Sequence, residues 1–166
     1  MADPVPDQMI RATKDVRSQY HRLVLLVAPT GSGKTQALRE FCEATGTPAI
    51  NVNLELSRRM LELTARQRTL RLPVLFSEML EQGQPEVVAL DNLEILFDKS
   101  LQQDPLRLLQ SASRNRSVVA TWNGAATGRK LTYAEVGHPE YRSYELDDVV
   151  VVSMAGEALH HTDANK

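Results

Sequence analysis

The sequence lacks the features of a disulfide-stabilised, membrane-spanning or strongly charged protein. Its single cysteine, Cys42, excludes an intramolecular disulfide and a cysteine-rich zinc site. No apolar run approaches the roughly 20 residues that cross a bilayer. The formal charge is only −2 at pH 7, so the composition gives no general attraction to nucleic acid, although it leaves a local DNA contact open. The composition is that of a soluble globular protein.

The length and the two ends predict one folded domain between short tails. At 166 residues the chain can bury most of its apolar surface but is short for two domains. The start, M-A-D-P-V-P-D, lacks the basic and apolar regions of a signal peptide, so we expect a cytoplasmic protein without membrane contact. We expect a flexible tail over residues 1–7, a folded domain over 8–155 and a polar, disordered tail over 156–166.

The most informative feature is the segment A-P-T-G-S-G-K-T, residues 28–35, directly after an apolar run. Gly31 and Gly33 allow backbone angles that are closed to residues with a Cβ, so successive N–H groups can turn towards phosphate oxygens. Lys34 would reach the β and γ phosphates, and the Thr35 hydroxyl would hold Mg²⁺. The segment therefore predicts ATP and Mg²⁺ as ligands.

The predicted nucleotide-binding residues extend into the next helix, whose N-terminus favours an anion. They are Ala28, Pro29, Thr30, Gly31, Ser32, Gly33, Lys34, Thr35 and Gln36. Ala28 occupies the place where this pattern usually has glycine, which is a mild departure because alanine is also small. The guanine-reading pattern N-K-x-D does not occur, which favours ATP over GTP.

Strands alternate with helices along the chain. The apolar patterns and turn residues predict strands at 23–27, 49–53, 86–90 and 117–121, and helices at 8–20, 34–44, 56–70, 74–82 and 105–113. This order predicts an α/β fold, a P-loop NTPase three-layer αβα sandwich with a mainly parallel central sheet. No helical pattern follows the fourth strand, so we predict no helical lid domain.

Three later segments also have strand character: 130–135, 141–146 and 149–152. We expect at least one of them to complete the sheet, and two of them can pair as a hairpin.

A second motif, V-V-A-L-D-N-L-E at residues 87–94, ends an apolar strand in Asp91. That position places a carboxylate at the carboxyl edge of the sheet, beside the phosphate loop, where it can organise Mg²⁺ and its waters. Thr35 and Asp91 are therefore the predicted metal ligands. The alternative is that Asp91 or Asn92 caps a short helix.

Hydrolysis also needs a group that orients or deprotonates water. Many P-loop ATPases carry glutamate directly after the metal-binding aspartate, but here that residue is Asn92. Two carboxylates can replace it: Glu94, three residues after Asp91, and Glu55, just beyond the second strand. Slow or absent hydrolysis is the third option. Lys34 also belongs to the predicted catalytic set.

Polar residues follow the fourth strand in T-W-N-G, residues 121–124. If that strand lies between the first and third strands, Thr121 or Asn123 would face the γ-phosphate and report its presence. Asn123 is our catalytic candidate here. Because Asn-Gly is also a strong turn signal, the alternative is a turn at this point.

Two groups of arginines have open roles. Arg114, Arg116, Arg129 and Arg142 lie in predicted loops or strand edges, where a neighbouring subunit could present one to a γ-phosphate. Arg58, Arg59, Arg66, Arg68 and Arg71 cluster around one predicted helix and could contact DNA phosphates, although Glu55 and Glu62 offset them. A solvated surface is the alternative for both groups.

Four segments together resemble the BrxF family, the small P-loop proteins of BREX phage-exclusion systems. They are L-V-L-L-V-A-P-T-G-S-G-K-T, I-N-V-N-L-E-L-S-R-R-M, A-L-D-N-L-E-I-L-F and L-T-Y-A-E-V-G-H-P-E-Y-R-S-Y. The first and third are shared by many ATPases, so the second and fourth carry the specific likeness. The resemblance implies an ATPase that works with other BREX proteins in a bacterial defence system that distinguishes phage DNA from host DNA.

These observations predict a MgATP-binding protein that hydrolyses ATP slowly, or when a partner or self-association stimulates it. One alternative is a nucleotide-dependent switch without turnover, which Asn92 would suit. A DNA-binding component is a second alternative, which the balanced charge weakens. A small-molecule kinase is a third, which the absence of an arginine-rich lid segment weakens.

Overall fold

The computed structural model describes residues 3–154 and 158–161. Within these residues the α-helices are α1 (Val5–Asp15), α2 (Lys34–Thr45), α3 (Val52–Met60), α4 (Ala65–Glu81) and α5 (Pro105–Ala112). The strands are β1 (Leu23–Ala28), β2 (Ala49–Asn51), β3 (Val87–Asp91), β4 (Ser117–Thr127), β5 (Lys130–Tyr133), β6 (Arg142–Glu145), β7 (Val149–Ser153) and β8 (Ala158–His161). Short 3₁₀ helices cover Val16–Ser18, Leu93–Phe97 and Lys99–Leu101.

The central sheet has the strand order β2-β3-β4-β1-β7-β8. Every neighbouring pair from β2 to β7 is parallel, and β8 runs antiparallel to β7. The mainly parallel sheet predicted from the sequence is therefore confirmed. In this order β4 lies between β1 and β3, which is the arrangement that brings the end of β4 beside the phosphate loop.

Helices cover both faces of the sheet and form two apolar layers. On one face α1 and α2 pack through Met9 and Phe41 against Val24 and Val119. On the other face α3, α4 and α5 cover a larger cluster that includes Trp122. All six residues of β1 are buried, because a parallel strand covered on both faces must be apolar throughout. The three-layer αβα sandwich is confirmed.

β4 is much longer than predicted and leaves the parallel sheet. Its last residues, Gly124 to Thr127, pair antiparallel with β5, which pairs in turn with β6. Gly124 is required there, because a Cβ at this position would lie 1.8 Å from the Thr132 carbonyl oxygen. The alternative of a turn at Asn123-Gly124 is therefore wrong. The chain turns instead at Gly128-Arg129, between β4 and β5.

The N-terminal helix begins earlier than the sequence predicted. α1 starts at Val5, so residues 5–7, which we predicted to be flexible, are helical. Pro6 lies in the first turn, where its missing N–H has no helical partner to lose.

The segment between β2 and β3 also divides differently from the prediction. The helices predicted at 56–70 and 74–82 are instead α3 and α4, with the break after Met60. Thr64 and Gln67 form a reciprocal capping box that starts α4, and α4 then continues through Pro73. The prediction missed this cap and placed the break between residues 70 and 74, where Pro73 lies.

The late segments form both predicted arrangements. β7 completes the parallel sheet beside β1, and β5 and β6 form the hairpin. Residues 158–161, which we predicted to be disordered, pair with β7 as β8, so the prediction is wrong for them. Residues 155–157 and 162–166 lie outside the described part of the chain.

Within the described part no helix follows β4, as predicted, and no helix there is long and apolar enough to span a membrane.

Candidate nucleotide-binding site

The predicted phosphate loop connects the carboxyl end of β1 to the N-terminus of α2. Gly31 has φ 80° and Gly33 has φ 94°, both in the left-handed region that favours glycine. Gly33 is the residue that precedes α2. The loop therefore turns directly into a helix N-terminus, whose free N–H groups and dipole favour an anion.

Lys34 is buried against this loop, with 6% of its surface exposed. Its Nζ donates hydrogen bonds to the carbonyl oxygens of Ala28 at 2.9 Å and Pro29 at 2.7 Å. Ser32 Oγ donates to the same Pro29 oxygen at 2.6 Å. Burial lowers the pKa of Lys34, and the negative charges of Asp91 and Glu94 partly oppose that shift. The ammonium lies in a desolvated position facing two carboxylates.

A cavity of about 290 Å³ opens between the phosphate loop and the ends of β3 and β4. It lies at the carboxyl edge of the parallel strands, where open α/β sheets bind their ligands. Its walls are Thr30, Gly31, Gly33, Lys34, Thr35, Asp91, Asn92, Leu93, Glu94, Phe97, Thr121, Trp122, Asn123 and Tyr133. The fold thus brings most of the predicted site residues to one cavity.

Asp91 and Thr121 end neighbouring strands and bond to each other. Thr121 Oγ1 donates to Asp91 Oδ1 at 2.6 Å, and the Asn92 N–H donates to the same oxygen at 3.0 Å. These two bonds fix the direction of the carboxylate. Asn92 precedes the 3₁₀ helix but makes no side-chain capping bond, so the alternative in which it caps that helix is not observed. Asp91 lines the cavity together with the phosphate loop.

Asn92 turns the chain so that Glu94 reaches the cavity. Its backbone is left-handed, with φ 58° and ψ 62°, and its carbonyl accepts a hydrogen bond from the Asn53 N–H at 3.0 Å. Glu94 follows on the 3₁₀ helix, where Asn123 Nδ2 donates to Glu94 Oε1 at 2.9 Å. The two candidates from separate sequence motifs are therefore paired on one wall of the cavity.

Five of the predicted residues do not line the cavity: Ala28, Pro29 and Ser32 of the loop, and Glu55 and Gln36. Glu55 is on the first turn of α3, where its carboxylate pairs with Arg59 at 2.7 Å and Arg58 at 3.5 Å; it does not line the cavity. Gln36 lies on the outer side of α2, bonded to Glu40 and Arg39. The geometry therefore favours Glu94 over Glu55 as the water-activating carboxylate, and it gives Gln36 no side-chain position in the cavity.

An aromatic layer behind the cavity was not foreseen from the sequence. The rings of Phe97 and Tyr133 are stacked, with centroids 3.4 Å apart and planes 6° from parallel. Trp122 packs edge-on against both. Burial raises the pKa of Tyr133, and the charges of Glu94 and Glu140 raise it further. Tyr133 is the last residue of β5, and the antiparallel pairing of β5 with β4 brings it to the cavity. No sequence motif indicated this pairing.

Arg142 holds the hairpin against the segment that carries Glu94. Its guanidinium donates to the carbonyl oxygens of Gln103 at 2.8 Å and Phe97 at 3.3 Å, and it lies 5.6 Å from the Phe97 ring centroid. Arg142 is thus engaged within its own chain, which makes it a weaker candidate for an arginine presented to a neighbouring subunit.

The donor set fits a magnesium–nucleotide complex better than a bare metal ion. Within residues 3–154 and 158–161, no three His, Cys, Asp or Glu side chains gather as a metal cluster. Mg²⁺ commonly takes only one or two protein ligands and completes its octahedron with phosphate oxygens and waters. Thr35 and Asp91 suit that role, and the glycine turns beside Lys34 suit the phosphates.

The fold and this loop together define a P-loop nucleotide-binding domain. Residues 24–127 match the model of the family described as ATPase family associated with various cellular activities, AAA. The chain therefore belongs to the AAA family. The match is to the family as a whole and does not bear on the BREX resemblance.

A solved structure of PCH-2 from C. elegans is similar to this chain at 15% sequence identity, with a TM-score of 0.42. The similarity covers 74% of this chain and 37% of that chain, so the present sequence corresponds to little more than a third of PCH-2. No match is found among curated proteins.

Proposed function

We propose that the chain is a cytoplasmic MgATP-binding protein of a BREX anti-phage system, which hydrolyses ATP slowly or under stimulation by a partner. Membership of the AAA family supports the ATPase class, and the sequence resemblance supports the system. The observation that carries the catalytic part is the Asn123–Glu94 hydrogen bond of 2.9 Å at the cavity wall.

The residues of the loop have separate roles in binding. The N–H groups between Gly31 and Thr35 donate to phosphate oxygens, and Lys34 adds a positive charge at the base of the cavity. Thr35 and Asp91 hold Mg²⁺, which when bound neutralises charge on the phosphate oxygens. The Thr121 hydroxyl keeps Asp91 oriented, since it donates to Oδ1.

Glu94 orients and deprotonates the attacking water, with Asn123 as its positioning residue. A carboxylate in this role must be held within hydrogen-bond reach of the water. The Asn123 amide holds one oxygen of Glu94, and the left-handed turn at Asn92 leads into the 3₁₀ helix that carries Glu94. Asn123, at the end of β4, also reports the presence of the γ-phosphate.

Turnover depends on other chains. The described residues after β4 form strands and include no helical lid. A further BREX protein or a second copy of this chain would complete the site. Arg116 is the leading candidate for an arginine supplied in trans, because Arg129 bonds to the Leu146 carbonyl and pairs with Glu145 and Arg114 lies over the Tyr20 ring.

One observation favours a second candidate, a nucleotide-dependent switch that holds ATP without turnover. The residue directly after Asp91 is Asn92, whose amide cannot serve as a base. A DNA-binding role is weaker, because Arg58 and Arg59 of the basic cluster are paired with Glu55.

Phosphate release from MgATP over a wide range of protein concentration tests the proposal, with Lys34→Ala as the control. We expect release that rises more than proportionally with concentration, or that rises when BREX proteins are added. Release at the Lys34→Ala level under all these conditions, despite ATP binding, would favour the switch.

A further inference from the structure

A second and larger groove adjoins the nucleotide cavity. It has a volume of about 720 Å³ and lies where the hairpin loop meets the phosphate loop. Its walls are largely apolar and include Pro29, Ala125, Ala134 and Val136. Val136 is 86% exposed, the most exposed large apolar side chain among the described residues. An apolar side chain so open to water beside an apolar groove is a feature of interaction sites.

The groove and the nucleotide cavity share four lining residues, Thr30, Glu94, Asn123 and Tyr133. An occupant of the groove would therefore touch the Glu94–Asn123 pair without entering the nucleotide cavity.

The groove is negatively charged. Glu94, Glu135 and Glu140 line it, and no lysine or arginine of the described chain does. None of the three carboxylates belongs to an ion pair within residues 3–154 and 158–161. The nearby Arg142 is occupied by the backbone carbonyls of Gln103 and Phe97. Lys34 acts electrostatically on Glu94, so Glu135 and Glu140 carry the part of the groove's charge that a cation of a partner can balance.

The loop that carries two of these carboxylates is held in shape by its own hydrogen bonds. The His138 N–H donates to the Glu135 carbonyl at 3.0 Å, and the Tyr141 N–H donates to the His138 carbonyl at 3.0 Å. The Glu140 N–H donates to His138 Nδ1 at 3.0 Å. Ordering the loop in advance lowers the entropy that binding would cost.

We propose that this groove binds a basic segment of a second protein, in which an arginine or lysine meets the three glutamates and apolar neighbours cover Val136 and Ala125. Charge complementarity selects such a segment and suppresses acidic ones. Of the 19 lysines and arginines of this chain, Arg58 and Arg59 pair with Glu55 and Arg142 is bound internally; a copy of the same chain is the alternative occupant. Binding would act on Glu94 and thereby on turnover, but it does not itself require that ATP be hydrolysed.

Fluorescence polarisation with a labelled short peptide of alternating arginine and leucine tests the binding. A glutamate–leucine peptide of equal length is the comparison. We expect binding of the basic peptide, weakened at least tenfold in the double variant Glu135→Lys/Glu140→Lys. The matched control Glu78→Lys/Glu81→Lys makes the same charge change on α4 and should bind as the unchanged protein does.

Val136→Asp, verified as folded by circular dichroism, removes an apolar contact with the basic peptide and adds a negative charge that attracts it. Its effect on the affinity for the peptide should therefore differ from that of the glutamate substitutions. We expect an affinity that depends more strongly on salt, because the electrostatic share of binding rises. The proposal is overturned if the basic peptide does not bind, or if both double variants bind it equally.

Sedimentation of the protein alone tests whether a second copy of this chain occupies the groove. If Glu135→Lys/Glu140→Lys dissociates an oligomer that the control variant retains, the groove holds a second copy and the proposal of a different partner is wrong. A sedimentation coefficient unchanged by the double substitution supports a separate protein. Both readouts are independent of phosphate release, so a protein without turnover would still test the groove.

Discussion

Lys34 shows how one residue links the fold to the chemistry of the site. Its ammonium is buried between loop carbonyls and faces Asp91 and Glu94 across the cavity. Burial favours the neutral amine and lowers its pKa, whereas the carboxylates favour the charged form. A polyanion in the cavity would favour the charged form further, so phosphate binding and the charge of Lys34 support each other.

Lys34→Ala should remove most of the stabilisation that MgATP gives. At ~100 times its dissociation constant, a ligand stabilises the folded state by about 2.7 kcal/mol, which corresponds to roughly 5–10 °C in melting temperature for a domain of this size. Thermal unfolding with and without MgATP measures the shift. A folded Lys34→Ala protein with an undiminished shift would contradict the assignment of the phosphate loop.

Tyr133 should make stability depend on pH in the alkaline range. Its pKa lies above the ordinary value of 10.0 in the folded state, because burial and then Glu94 disfavour the phenolate. Above pH 10 the unfolded chain loses this proton while the folded chain keeps it, so the free energy of unfolding falls as the pH rises. Tyr133→Phe should reduce that fall, as measured by urea unfolding between pH 9 and 11. Identical slopes for the two proteins would contradict this account.

At the scale of elements, the site depends on β4, which pairs with parallel strands at its start and with the antiparallel strand β5 at its end. Asn123 lies on β4 and Tyr133 lies on β5. The pairing of these two strands brings both residues to the cavity. Arg142 then fixes the hairpin to the 3₁₀ helix of Glu94 and Phe97. In a 3₁₀ helix residues three apart lie on one face, so contacts that hold Phe97 also orient Glu94.

Arg142→Ala should loosen this attachment. Two backbone carbonyls would lose their donor, at a cost of about 1–3 kcal/mol in the free energy of unfolding. We expect a lower rate of phosphate release with little change in MgATP affinity, because the phosphate loop is on a different element. Arg142→Lys should recover part of both properties. A loss of stability without any change in release would assign Arg142 a purely structural role.

The sequence predicted the elements whose pattern is set locally and missed those set by pairing. β1 could be predicted from its continuous apolar run, and α2 from the helix stop at Gly46 and Pro48. The extension of β4 could not, because Asn123-Gly124 has the local chemistry of a turn and only pairing with β5 makes it a strand. The same pairing brings in Tyr133, which no motif indicated.

The candidate site was predictable to a similar extent. The phosphate loop and Asp91 follow from motifs in their expected context, and the structure gathers them at one cavity. The choice between Glu94 and Glu55 did not follow, since it depends on the backbone turn at Asn92 and on the ion pairs of α3.

At the scale of the whole molecule, two adjoining spaces share the Glu94–Asn123 pair. One is lined by the phosphate loop and Asp91, and the other is the groove that we propose binds a basic partner. If Glu94 activates water as proposed, a partner in the groove would act on turnover directly, because Glu94 lines both spaces.

The most direct test of the central claim compares Glu94→Gln with Glu55→Gln, with MgATP binding and phosphate release measured for each. The two substitutions make the same chemical change, one at the cavity wall and one on α3. We predict that Glu94→Gln binds MgATP normally but releases no phosphate, and that Glu55→Gln matches the unchanged protein in both measurements. Unchanged release by Glu94→Gln would contradict the account and move the role to another carboxylate.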